Sequence, residues 1–99
     1  MTTKTTIAPS KPELKRPSLY KVLIIDDEVS TYQCVIDILI NHFNKSEDEA
    51  YDLAFIVDNR GVGLVGTYPK DIAETKIALA KSELKIVGFT LRIDLLSSI

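Results

Sequence analysis

Apolar and polar positions along the chain fall into short apolar blocks and longer amphipathic stretches, and their order predicts a strand, two helices, a strand, a helix and a strand. Val22, Leu23, Ile24 and Ile25 form an uninterrupted block rich in β-branched residues. A run this short without alternation reads as a strand covered on both faces. It breaks into Asp26, Asp27 and Glu28, after which Tyr32, Val35, Ile36, Leu39, Ile40 and Phe43 recur at helical spacing as a core-facing stripe over 31–43. Ser30 with Gln33 three residues on has the pattern of a capping box, and Val29 is placed to staple against Cys34. Ser46 with Glu49 forms a second box and opens a helix that carries Ala50, Leu53, Ala54 and Val57 and stops near Gly61.

The segment 62–68 (VGLVGTY) reads as a strand in which Gly63 and Gly66 mark close approach of another element to the backbone. Pro69 suits the first position of a third helix, whose buried face is expected from Ile72, Ala73, Ile77 and Ala80; no cap for it is evident. Val87, Phe89, Leu91 and Ile93 alternate with Gly88, Thr90 and Arg92, the pattern of a final strand over 86–93 with one buried face. The expected architecture is α+β: a β-α-α-β-α-β domain over 18–94, with a flexible arm at 1–17 and a short tail at 95–99. The arm carries Lys4, Lys11, Lys15 and Arg16 among Thr, Pro and Ser, too little apolar surface to offset the entropy of ordering.

Length changes the picture by limiting the core. A chain of 99 residues forms one domain, and at this size only about 60–65 % of the unfolded surface is buried, which argues against a large enzyme cleft. The formal charge of −2 gives no basic footprint for nucleic acid, and no apolar stretch approaches the roughly 18 residues of a membrane span. Cys34 is the only cysteine, so neither an internal disulfide nor a thiolate metal cluster is expected. With no signal-peptide pattern, a reducing, cytoplasmic setting follows as the expectation. His42, the only histidine, lies late in a helix and reads as a surface or capping residue. There is no glycine-rich phosphate loop and no Ser/His/Asp set, so a binding module without cofactor or metal is expected in preference to an enzyme. The chemistry concentrates at Asp26, Asp27 and Glu28. These acids stand just before a helix N-terminus, whose partial positive charge lowers the cost of holding them together, and such a corner suits a cation or an ammonium group.

Two family resemblances offer themselves. KVLIIDDE (21–28) and LAFIVD (53–58) resemble the strands of a response-regulator receiver domain, with its acidic pair and phosphorylated aspartate. Spacing argues against it. Asp58 follows Asp27 by only 31 residues, where the intervening elements of a receiver need roughly 45.

The second resemblance fits the full order of elements. PSLYKV (17–22), Asn44-Lys45-Ser46 with Glu49-Ala50, GVGLVGTY (61–68) and Ile72-Ala73-Glu74-Thr75-Lys76 resemble, in that order, the motifs of the ClpS family, adaptors of the Clp AAA+ proteases. The resemblance implies a three-stranded antiparallel sheet packed against three helices. It also implies a monomeric, non-catalytic adaptor that captures proteins beginning with Leu, Phe, Tyr or Trp and passes them to an unfoldase of the ClpA or ClpC type. Such an adaptor works in the cytoplasm, or in the plastid stroma of a plant host.

Carried over position by position, the residues that grip the substrate α-amino group fall on Asp26, Asp27 and Glu28, and a family histidine falls on Asp58. The apolar pocket falls on Ser30, Tyr32, Val35, Ala54, Val57 and Val87, with Tyr32 where the family has a methionine gatekeeper and Ala54 where it has another methionine. The contact with the unfoldase N-domain falls on Asp71 and Lys76. Plain core positions for Val35, Val57 and Val87, and a surface carboxylate for Asp58, remain open alternatives. The departures at Asp26, Tyr32, Ala54 and Asp58 keep a second function in view, a Clp-binding regulator or inhibitor that has lost the pocket. A ribosomal-stalk-type interaction domain is a weaker reading that the IAETK segment (72–76) does not support.

Overall fold

In β1 (Leu19–Ile25) successive side chains point to opposite faces, so Val22 and Ile24 are fully buried while Leu23 and Ile25 are only half-buried. That alternation sets the architecture of the computed structural model, which describes residues 18–27 and 29–97. The remaining elements are α1 (Tyr32–Phe43), α2 (Glu47–Arg60), β2 (Val62–Pro69), α3 (Lys70–Val87) and β3 (Arg92–Ser97). The sheet is antiparallel in the order β2-β1-β3, with β1 at its centre. The expected element order and α+β architecture are those observed. Residues 1–17, read as an arm, and Glu28 lie outside the described residues.

The core lies between one face of the sheet and the helices. Val22 and Ile24 meet Val35, Ile36, Leu39 and Phe43 of α1, Ala50, Ala54 and Val57 of α2, and Ala73, Ile77, Ala80 and Leu84 of α3. No polar or charged side chain is buried among the described residues. Polar chemistry is therefore confined to rims and loops. The strand expected to be covered on both faces is covered on one; on the other, Leu23 and Ile25 stand beside half-exposed Val62 and Leu64. Tyr32, Ile40 and Ile72, expected in the core, are exposed, because α1 and α3 bury narrower stripes than their apolar content suggests.

Both strand glycines permit close approach. A Cβ on Gly63 would lie 2.7 Å from Val57 Cγ2 and 2.9 Å from Leu53 Cδ1, and one on Gly66 would meet the hydroxyl of Tyr68, on the same strand, at 3.1 Å. Gly63 thus lets α2 press onto β2. The Ser46–Glu49 capping box is present in full, and α2 ends at Gly61 in the left-handed conformation (φ 85°). At the first helix the cap differs from expectation: Thr31, not Ser30, accepts the Cys34 N–H, and Gln33 turns to Asp37. The Ser30 N–H, which a capping box would offer to the Gln33 side chain, is committed to Asp27, and Thr31 is the capping hydroxyl.

The last strand also moves. α3 continues through Val87 and closes at Gly88 (φ 83°), where the N–H groups of Gly88 and Phe89 both donate to the Leu84 carbonyl. β3 then runs Arg92–Ser97, so Leu95, Leu96 and Ser97 belong to the sheet and not to a tail, Leu95 pairing with Val22. Pro69 is the cap residue of α3 without a side-chain bond, consistent with the cap that was not evident.

Candidate functional site

The site forms where the chain leaves β1. The Asp26 N–H donates to the Gly61 carbonyl at 2.9 Å, which pins the acidic corner to the C-terminal end of α2 and brings Asp26 toward Asp58. Both carboxylates are exposed, and both border a small cavity between the start of α1 and the last two turns of α2. Val35, Ala54 and Val57 give it apolar walls, and Ser30, Thr31 and Tyr32 close it from the α1 side. Its volume is about 20 Å³, room for a single water molecule.

Tyr32 borders the cavity and links its two helices. Its hydroxyl donates to the Tyr51 carbonyl on α2 at 3.3 Å, so the ring spans the two helices as a lid. The hydrogen bond is long and exposed, hence weak.

Asp27 has a different role from Asp26. One of its oxygens accepts the Ser30 N–H at 2.9 Å and the other accepts the Thr90 hydroxyl at 3.0 Å. Burial pushes its pKa up, but bonds from the Ser30 backbone and hydroxyl, Thr90 and the Val29 backbone outweigh burial and hold the carboxyl below its ordinary value. With the folded pKa depressed, the stabilisation is complete above about 4 and is lost as pH falls through the folded value. Asp27 braces the loop. The Ser30 hydroxyl favours the charged form of Asp27, yet its Oγ is buried with no partner in full hydrogen-bonding geometry.

Of the residues expected at an amino-group site, then, Asp26 and Asp58 come together, Asp27 faces the loop after α3, and Glu28 lies outside the described residues. Of the expected pocket residues, Ser30, Tyr32, Val35, Ala54 and Val57 line one cavity. Val87 does not. It sits in the last turn of α3, half exposed, because the helix outruns the strand expected there. Thr31, Tyr51 and Thr90 were missed. A hydroxyl at the cap position marks Thr31, whereas the contacts of Tyr51 and Thr90 join residues 19 and 63 positions apart and leave no local signal.

Asp71 and Lys76 share a separate groove of about 400 Å³ between the end of α1 and α3, with Asn41, His42, Asn44, Ile72, Thr75 and Leu79. Ile72 and Leu79 are exposed along it, and Lys76 holds its ammonium 5.6 Å from the centroid of the Tyr68 ring. The His42 Nε2 lies 2.7 Å from a Glu83 oxygen and ties α1 to α3 nearby.

The model of the family described as ATP-dependent Clp protease adaptor protein ClpS matches residues 15–94. The chain belongs to the ClpS family of Clp protease adaptors. Relatives in the family include the Clp protease adapter ClpS of Clostridium acetobutylicum, 39 % identical over 86 % of this chain and 84 % of the relative. That of Nautilia profundicola is 38 % identical over 93 % of this chain and 94 % of the relative. Among solved structures, Agrobacterium tumefaciens ClpS2 bound to L-phenylalaninamide is similar with a TM-score of 0.79 and 31 % identity, over 84 % of this chain and all of that one. Among the described residues of this ClpS-family chain no helix is long and apolar enough to cross a membrane. None of its clusters of three or more His, Cys, Asp or Glu suits a metal ion, again among the described residues.

Proposed function

We propose that this adaptor captures polypeptides through a free N-terminal residue with a large apolar side chain and presents them, in the cytoplasm, to a Clp unfoldase of the ClpA or ClpC type. The observation that carries the reading is the meeting of two exposed carboxylates, Asp26 and Asp58, at the mouth of a cavity walled by Val35, Ala54 and Val57. An α-ammonium brings three donors and a positive charge, which carboxylates accept in charge-assisted bonds. The neighbouring ClpS2 with its bound L-phenylalaninamide supports the same chemistry, since that ligand joins an α-amino group to a benzyl side chain. Burying a Leu or Phe side chain contributes roughly 1.5–3 kcal/mol, and the carboxylates orient it.

The ligand's side chain enters by displacing the Tyr32 ring, and Ala54 leaves space at the back of the cavity. Peptides that differ only in their first residue test the proposal: Phe, Tyr, Trp and Leu are expected to bind at least about tenfold more tightly than Ala, the equivalent of about 1.4 kcal/mol. Equal affinity for all first residues would refute it.

The closed lid also favours a second reading, a Clp-binding regulator without a working pocket. Tyr32→Phe separates the two. Loss of the hydroxyl removes a weak bond, worth about 0.5 kcal/mol, from the closed state alone, so peptide affinity is expected to rise roughly twofold. No binding by either the parent or the variant would favour the regulator.

Delivery is assigned to the groove on α3. Its lining combines exposed apolar residues, Ile72 and Leu79, with charged ones, Asp71 and Lys76, the composition of a protein contact. Lys76→Ala is expected to slow association with the isolated unfoldase N-domain several-fold and to flatten its salt dependence. An unchanged association rate would direct the search to another face.

A further inference from the structure

α3 carries a large exposed apolar side chain at every seventh residue. Ile72 is 44 % exposed, Leu79 56 % and Ile86 84 %. The helix buries Ala73, Ile77, Ala80 and Leu84, so this stripe contributes nothing to the core. Seven residues make nearly two full turns, and the three side chains therefore form one seam along the helix, about 21 Å from first to last. Between them stand Thr75 and Ser82, both exposed and short enough to let a second helix come close. The groove assigned to delivery accounts for Ile72 and Leu79 but not for Ile86, which lies outside it.

We infer that the seam joins two copies of this chain, α3 packed antiparallel against α3 about a twofold axis at Leu79. Charge specifies a second copy as the occupant. In this register Ile72 of each copy meets Ile86 of the other. Lys76 lies three residues before Leu79 and Glu83 four after it on the same flank, so Lys76 of each copy comes beside Glu83 of the other. On the opposite flank Asp71, eight residues before, comes beside Lys85, six after. All four charges thus meet their opposites, whereas a parallel pairing would match only Asp71 with Lys76. His42 and Asn41 both meet the same Glu83 oxygen, and its other oxygen makes no hydrogen bond within the chain. A single helix pair about 27 Å long is a contact of the small, transient class, so the dimer forms only as concentration rises. Pairing covers Asp71, Ile72, Lys76 and Leu79, and a paired adaptor cannot dock an unfoldase through the same groove. That consequence rests on the assignment of the groove to delivery; the pairing itself does not.

Sedimentation equilibrium of the full-length chain tests the pairing. Between about 5 and 500 μM the parent is expected to pass from the mass of one chain toward that of two. Ile86→Glu is expected to keep the mass of one chain throughout, since residue 86 lies outside the core and the groove and the variant folds as the parent does. Lys85→Glu and Asp71→Lys are each expected to weaken self-association several-fold, and the double variant, which restores opposite charges, to recover it. A parent of single-chain mass at every concentration, an Ile86→Glu variant that still pairs, or a double variant no better than its singles would overturn the pairing. Added unfoldase N-domain is expected to split the dimer, and an N-domain that binds while leaving the dimer intact would overturn the occlusion. If the N-domain binds neither the parent nor Ile86→Glu, the delivery assignment fails while the pairing stands.

Discussion

Acetylating the N-terminus of a Phe-initial peptide is expected to weaken its binding to this protein about 100-fold or more. Acetylation removes the charge and leaves one N–H where three donors stood. Asp26 and Asp58 then face a neutral amide at the cavity mouth. Charge-assisted hydrogen bonds contribute roughly 1.5–3 kcal/mol each, and losing two of them amounts to about 3 kcal/mol at the least, or two orders of magnitude. Free and acetylated peptides titrated side by side give the measurement, and similar affinities would exclude recognition of the amino group. Asp58→His adds a finer test. A carboxylate at 58 attracts an ammonium by full charge, where a neutral imidazole offers a single polar contact. The parent is therefore expected to bind more tightly at low salt and to lose more affinity as salt screens the exposed pair. Identical salt dependence in parent and variant would mean that Asp58 takes no part.

Gly63→Ala is expected to destabilise the fold by about 1–3 kcal/mol, the usual cost of forcing an extra methyl into packed surroundings. The new Cβ would lie 2.7 Å from Val57 Cγ2 and 2.9 Å from Leu53 Cδ1, so α2 must lift from β2 or both side chains must leave their rotamers. For a domain of this size each kcal/mol lowers Tm by roughly 4–8 °C. Because Val57 is also a wall of the cavity, peptide binding is expected to weaken with stability. Val57→Ala, which removes the nearer methyl, provides the control: the double variant should be less destabilised than the sum of the two single changes. Strict additivity would show that the strain lies elsewhere.

Much of this fold is written locally. Ser46 and Glu49 announce the start of α2, Gly61 its end, and the two strand glycines the contacts that only their missing Cβ atoms permit. The caps succeed because their interacting groups sit within a turn of one another in sequence, and Gly63 because a glycine inside a strand is itself a signal of close packing. The end of α3 was misread for an instructive reason. Val87, Phe89, Leu91 and Ile93 alternate like a strand, but Gly88 closes the helix through Leu84, and exposed Ile86 and Val87 ride on its outer surface. A glycine after apolar residues suits both a strand and a left-handed helix end, and tertiary packing of Leu84 decides between them. The site divides similarly. Family motifs pointed to Asp26, Asp58, Val35, Ala54 and Val57, which line one cavity, and to Val87, which does not, while the contacts of Asp27 and Tyr32 were not legible, since each depends on a partner from a distant segment, Thr90 in one case and Tyr51 in the other.

The two helices that wall the cavity are joined by three residues, Asn44, Lys45 and Ser46. Asn44 is left-handed (φ 55°), and its N–H and that of Lys45 both donate to the Leu39 carbonyl. So short and clamped a turn keeps α1 and α2 from spreading, and opening falls to the rotation of one side chain. Exposed rings turn over in picoseconds to nanoseconds, whereas helices part in microseconds or longer. If polypeptide ends bind there as proposed, admission to the cavity is fast beside the rate at which an end finds it. Under the proposed capture of N-terminal residues, discrimination between first residues would then lie in how long each one stays.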